Sequence, residues 1–593
     1  MRVRAGSTRR THVAIVGLIA ISLLATACGG AKSGSSDSSS KTDLQAKGLD
    51  AQAGESGLAD AGTPRRGGKL IYGLEADTNG GFCLTEGQLA ISGMMIVRAV
   101  YDTLTVPNDK GDYIPYLAKT IDHDSTYKTW TITLRPNIKF HDGSPLTAQV
   151  VKNNLDAYRG VYPGRDSLLL AFNLRNIDTV TTAGPLTVKV TTKVPWVAFP
   201  SYLYSSSRLG IMAQAQLDDK SSCARKLIGT GPFKFVSWTP NQKLDVKRNP
   251  DYWQIAPDGK PYPYVDSIEF RPITDGQVRN NALQAGDINI MHTSNAKDMG
   301  AKLLQLRNGG KVNMLVSEKM AEISFVQLNS TVAPFNDPLM RKALAMGGNR
   351  VAINKIVNAG LPNIADGPFS PDSIAYLKNP GFPKYDPAAA KKLVQEYVAK
   401  GGKAEFTLTS TTDQSVRQTA ALIQQQAQAL GVKVRIVQRD QAALINDAIA
   451  KKYQAMVFRN YPGGDPDSMY VWWYGGTKGE DGTFAPNLVN FAGVNDPDMN
   501  KLLDEGRSET DPAKRKTIYQ NLNRILAGKV YGIWSWYTPW AVVEQSKVHN
   551  ILGPPLPGAD PSKPGKAKTT DPEFEPSKGL ATGHSLIGLW ISN

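Results

Sequence analysis

Hydrophobic positions fall into three regimes along this chain. Residues 13–28, VAIVGLIAISLLATAC, are almost continuously apolar, yet the run is too short to span a bilayer. Residues 29–67 carry almost no aromatic or β-branched side chain. From Gly68 onward apolar residues recur at strand and helix periods. Residues 68–75 (GKLIYGLE) read as a short strand that breaks at Asp77-Thr78-Asn79-Gly80-Gly81, and residues 96–104 read as a helix. Trp130, Ile132 and Leu134 alternate with threonines, which predicts a half-buried strand; Asp142-Gly143 predicts a turn and Thr147 a helix cap.

The second half is plainer. Asp386-Pro387 opens a predicted helix that stops at Gly401-Gly402. A strand at 405–409, a helix at 415–430, a strand at 432–437, a helix at 441–451 and a strand at 453–459 follow as successive β-α units. Such units build an α/β lobe whose ligands sit beyond the carboxyl ends of the strands. That rule points to residues 410–413 and, more strongly, to the loop Arg459-Asn460-Tyr461-Pro462-Gly463-Gly464-Asp465-Pro466-Asp467. Downstream, Trp534 and Trp536 alternate along a predicted strand and should share one face. Residues 554–583, rich in Pro, Lys and Asp, predict an irregular wrap before residues 586–591 close the chain.

The first two regimes read as an address. Four arginines (2, 4, 9 and 10) precede the apolar run, and Ala25-Thr26-Ala27 lead into Cys28. This order is that of an export signal and resembles a bacterial lipoprotein signal in which Cys28 becomes the lipid-bearing amino terminus. The leucine usual three residues before that cysteine is displaced by one, to Leu24. Residues 28–67 cannot bury enough apolar surface to offset their ordering entropy. They predict a tether of about 40 residues with a reach of roughly 35 Å. The formal charge of +15 includes the four leader arginines, and the remaining Lys and Arg are interspersed with acids rather than blocked. That pattern argues against a nucleic-acid partner. Cys83 and Cys223 remain as an even pair in an oxidising compartment, which predicts a disulfide. The six histidines lack metal-ligand spacing, so no metal and no cofactor is expected. His141 has no accompanying nucleophile motif, and no catalytic residue is expected.

Five blocks carry a resemblance. They are residues 130–148 (WTITLRPNIKFHDGSPLTA), 228–233 (IGTGPF) with 249–253 (NPDYW), 283–288 (LQAGDI), 325–329 (FVQLN) and 338–344 (PLMRKAL). In this order they resemble the family 5 extracellular solute-binding proteins, peptide-binding components of ABC importers, over roughly residues 68 to 550. The resemblance implies a two-lobed, periplasmic-binding-protein-like α/β fold (type II) with an extra inserted subdomain. It divides the chain into a signal (1–27), tether (28–67), lobe I (68–94 and 226–320), inserted subdomain (95–225), lobe II (321–540) and a return with C-terminal wrap (541–593). It implies a monomeric, non-enzymatic protein, lipid-anchored on the outer face of the cell membrane or in the periplasm. Such a protein captures a solute, a peptide above all, and delivers it to a membrane permease. The family also includes binders of sugars, opines and metal chelates, and a scaffold or adhesion role without transport is the alternative from another class.

The expected solute contacts are Glu75, Asp77 and Asn79 from the first lobe and Arg459, Asn460, Tyr461, Asp465, Trp534 and Trp536 from the second. In the peptide binders an aspartate early in the 459–467 loop pairs with the ligand's α-amino group. Pro462 stands at that position here, so a free-amine peptide needs a substitute such as Asp465 or Asp467, both of which can equally be turn formers. Without a peptide, Arg459 is the expected partner of an anionic solute.

Overall fold

The structure, a computed structural model, describes residues 62–592 apart from 79, 88, 168, 462, 479–480, 559–573 and 581–582. Cys28, the leader and the tether therefore lie outside the described residues, as do Asn79 and Pro462.

A ten-stranded mixed sheet runs through the molecule. Lys69–Leu74 lies parallel to both Ser267–Pro272 and Ile290–Thr293, and the hairpin Phe233–Thr239/Lys243–Arg248 extends the sheet beyond Ser267–Pro272. At the opposite end, Glu405–Thr411 lies parallel to Lys433–Arg439 and to Ala455–Asn460. This is the arrangement the β-α alternation predicted. Two long antiparallel strands, Val312–Leu328 and Gly532–Gln545, join the ends. Both are buried for most of their length, because each half of the sheet is covered.

The joining strands are not continuous partners. Their register runs from Val312↔Gln545 to Ser317↔Trp540 and resumes at Glu322↔Thr538. Residues 318–321 therefore bulge opposite Pro539, which has no N–H to give the ladder. Ser317 Oγ and Asp372 accept the amides of Lys319 and Met320 within the bulge.

A separate four-stranded antiparallel sheet is ordered Ala118–His123, Thr129–Leu134, Thr187–Thr192, Ile177–Thr182. Trp130, Ile132 and Leu134 are the buried positions of its Thr129–Leu134 strand, and Val151 and Leu155 of the helix Ala148–Tyr158 belong to the same core. Thr147 caps that helix by accepting from the Val150 amide at 3.3 Å. Asp386, Asp413 and Asp440 cap the three helices of the β-α units in the same way. The helix expected at 96–104 instead spans Ile91–Val100. It stops because Tyr101 turns extended and Leu104 gives its carbonyl to the Tyr116 amide. Cys83 and Cys223 are disulfide-bonded across 140 residues. Near the chain end Val548–His549 pairs with Trp590–Ile591.

Candidate functional site

Polar side chains gather around the bulge, where the two ends of the sheet meet, and define a candidate cleft. Glu322 is the first residue after the bulge on one strand, and Trp540 is the last paired residue before it on the other. The Trp540 indole N–H donates to Glu322 Oε2 at 3.1 Å. Arg459 stands beside them, because Ala455–Asn460 pairs Ser324 with Arg459 and Ile323 with Asn460. Its guanidinium carbon lies 5.9 Å from the centre of the Trp540 ring, and its Nη1 donates to Ser294 Oγ at 2.9 Å. Arg459 also keeps solvent contact.

The floor comes from the first end of the sheet. Glu75, just past Lys69–Leu74, accepts from the Ser294 amide (2.7 Å), Thr293 Oγ1 (3.1 Å) and Arg279 Nη2 (3.2 Å). Burial pushes its carboxyl up, but Arg279, Arg459 and the Ser294 amide outweigh it and hold the group below its ordinary value. His292 accepts the Glu75 amide on Nε2 and lies 5.3 Å from Trp540, ring to ring. Burial lowers its pKa to about 3, so the ring is neutral.

Glu322 behaves in the opposite way from Glu75. Burial raises its carboxyl, and Arg459 and the Trp540 N–H only partly offset that. A further cation is within electrostatic reach: Arg208, whose Nη2 donates to the Leu89 carbonyl at 2.8 Å. Burial brings Arg208 down to about 10, still charged at neutral pH. It follows Ser205, Ser206 and Ser207, three consecutive residues at φ of 43°, 57° and 68°. Backbone strain of this kind collects where a side chain must be aimed.

Most of the other expected contacts already have partners within the protein. Asp77 is taken by the edge hairpin, accepting from the Asn241 amide (2.6 Å) and Trp238 Nε1 (3.2 Å). Tyr461 is buried, with its hydroxyl 3.7 Å from Met320 Sδ in the bulge, and Asn460 is half-buried at a strand end. Asp465 is not free for a solute ammonium: Arg515 holds both its oxygens, at 2.9 and 2.6 Å, and the Asp467 amide donates to it as well. Asp467 is fully buried on Arg507, Trp196 and Tyr519. Asp465 caps the short turn that follows it, and Asp467 is one half of a buried ion pair.

The tryptophan expectation also needs correction. Ser324 pairs with Trp536 but Phe325 with Trp534, so Ser535 is an extra residue and the two rings go to opposite faces. Trp534 packs on Phe325 and Trp473, while Trp536 joins Ile353 and Val357. The cleft tryptophan is Trp540. Sequence reading missed Glu322, Ser294, His292 and Arg208. The one available signal was the charged interruption S-E-K-M-A-E at 317–322 inside an otherwise apolar strand. His141, the tempting histidine, bonds the Gly231 carbonyl at 2.9 Å and is structural.

A sheet in two halves joined by two strands, with unsatisfied charge at the junction, is the build of a two-lobed binding protein. The chain belongs to the bacterial extracellular solute-binding proteins, family 5, whose middle region matches residues 112–481. It is 30% identical over 413 residues to the glutathione-binding protein GsiB of Pectobacterium atrosepticum, covering 69% of this chain and 77% of that protein. Two solved structures share the fold. The binding protein AgaA of A. tumefacien R10, in complex with agropinic acid, has a TM-score of 0.75 at 24% identity, covering 89% of this chain and 99% of AgaA. The Helicobacter pylori protein DppA, in complex with the peptide STSA, has a TM-score of 0.76 at 20% identity, with the same coverage of each chain. The family consists of substrate-binding proteins for transport, and this chain is not an enzyme. Among the described residues no helix is long and apolar enough to cross a membrane.

Proposed function

We propose that this protein captures a small, carboxylate-bearing solute of the short-peptide class in the cleft at the bulge and passes it to an ABC permease. The lobes divide where residues 318–321 face Pro539. Arg459 carries the reading: a solvated guanidinium over an indole, with donors to spare, suits a bidentate carboxylate. Glu322 lies within electrostatic reach but forms no ion pair with it, so a solute ammonium or hydroxyl can sit between them. The likeness to a glutathione-binding protein supports this class, since glutathione carries both groups.

Non-peptide acids are the second reading. It is favoured by the engagement of Asp465 and Asp467 with Arg515 and Arg507, which leaves Glu322, Glu75 and Asp413 as the acids within electrostatic reach of Arg459. Calorimetry with glutathione, trialanine, N-acetyl-trialanine and trialanine amide separates the two. Binding that is lost on amidation supports the Arg459 assignment, and binding that survives acetylation moves the weight to acids without an amine. No binding by any of the four would overturn the peptide reading.

The address is part of the proposal: export as a monomer, with Cys28 lipid-modified and the body tethered to the outer face of the membrane or in the periplasm. Cys28→Ala should release the protein to the medium, and unchanged membrane retention would refute the anchor.

A further inference from the structure

The segment carrying the small sheet grips the second lobe at a buried contact that no cleft residue shares. The Trp196 indole donates to Asp467 Oδ2 at 2.8 Å, and the Tyr202 hydroxyl donates to the Asp467 carbonyl at 2.8 Å. Arg507 donates to both oxygens of Asp467 and to the Tyr202 hydroxyl at 3.2 Å, and its carbonyl accepts the Val197 amide. The guanidinium of Arg507 also lies over the Trp196 ring at 5.1 Å. Beside this, Arg175 reaches from the same segment over Tyr470 and Tyr474, at 5.1 and 5.0 Å. Those two rings stack at 4.2 Å and both bond Asp504.

The division of partners is informative. Asp467, Arg507 and Tyr519 all belong to the second lobe, so the ion pair survives if the lobes part. On the other side of this contact, Trp196, Tyr202, Arg175 and the Val197 amide are the groups that must let go. Parting would expose aromatic surface, which is unfavourable, and hydrate a fully desolvated ion pair, which is favourable. Two opposed terms of similar kind make a contact that can be made and broken, as a two-state closure requires.

We propose that Trp196, Tyr202 and Arg175 are positioning residues forming a latch: they hold the second lobe shut through the Asp467–Arg507 pair and the Tyr470–Tyr474 stack. The latch sets the closed fraction without touching solute. This rests on the reading of the molecule as closing about the 318–321 bulge. Apparent affinity then scales with the closed fraction for every solute the cleft takes.

The test needs no solute, so it stays separate from the question of what binds. Spin labels at Lys189→Cys on the small sheet and Lys516→Cys on the second lobe, both exposed positions, report the lobe separation by double electron–electron resonance. Cys28→Ser keeps that residue unlabelled. The parent should show a population at the closed separation, and Trp196→Phe, Tyr202→Phe and Arg175→Gln should each lower the closed-to-open ratio by roughly 3- to 10-fold. Arg175 is only half-buried, so its variant keeps the test valid if the tryptophan variant fails to fold. A parent with no closed population, or variants whose distance distributions superimpose on the parent's, would overturn the latch.

Discussion

Two charged regions of the second lobe differ in one respect. At the 465–467 turn, Asp465 and Asp467 are each matched to an arginine with short contacts and further donors, and Asp467 is sealed from water. At the bulge, Glu322 and Arg459 lie near each other without an ion pair, one oxygen held by Trp540 and one nitrogen by Ser294. A matched charge in a dry site is architecture, because removing its partner leaves an uncompensated charge. A charge left half-matched beside water is available to a ligand, so proximity of an acid to a strand end is a weaker sign of binding than its unsatisfied valence.

The largest expected effect breaks the comparison from the architectural side. Asp467→Asn should strand Arg507 and cost about 3–5 kcal/mol of stability in urea unfolding. A loss below 1 kcal/mol would mean the pair is not structural. The disulfide belongs to the same side: replacing Cys83 and Cys223 together by serine should lower stability by about 2–4 kcal/mol. Two free thiols in denatured, unreduced protein would remove the basis for that expectation. On the cleft side, Arg459→Gln should leave the melting temperature nearly unchanged while weakening a carboxylate solute by roughly 10- to 100-fold, about 1.4–2.7 kcal/mol. Asp465→Asn should reverse that pattern, losing stability without discriminating a free-amine peptide from its acetylated form. Equal melting losses in Arg459→Gln and Asp465→Asn would erase the distinction.

The smallest effect has a sign fixed by burial. A carboxyl raised above its unfolded value favours the folded state when protonated and loses that advantage as pH rises through the unfolded and then the folded pKa. Glu322→Gln should therefore be more stable than the parent at pH 7.5, and the difference should vanish below the ordinary carboxylate range. Paired melts at pH 7.5 and 3.5 check it; a variant less stable than the parent at the higher pH would show that Arg459 already satisfies Glu322.

The β-α units of the second lobe were legible because their determinants are local. Asp386, Asp413 and Asp440 each place a side-chain acceptor before a run of helix formers, and Gly401 and Gly431 supply the left-handed turn after it. The half-buried strand at Trp130 was readable for the same reason, since its period of two survives any packing that covers one face. The limit shows at 96–104, where the helix ends at Val100 because a tertiary partner, Tyr116, takes the next stretch as extended backbone.

The site was legible only in part. The sequence by itself determined that a strand ending in Arg459 meets a polar loop, that an even pair of cysteines was available, and that the chain shares the five blocks of a binding-protein family. What only the tertiary structure decided is which charges are left over. Asp465 and Arg515 lie 50 residues apart, Glu322 and Trp540 lie 218 apart, and no periodicity links such pairs. The faces of Trp534 and Trp536 turned on one extra residue, Ser535, in a register set by the opposing strand. Pairing across such distances is fixed by the packing of whole lobes, and a residue's availability to a solute depends on whether that packing has already satisfied it.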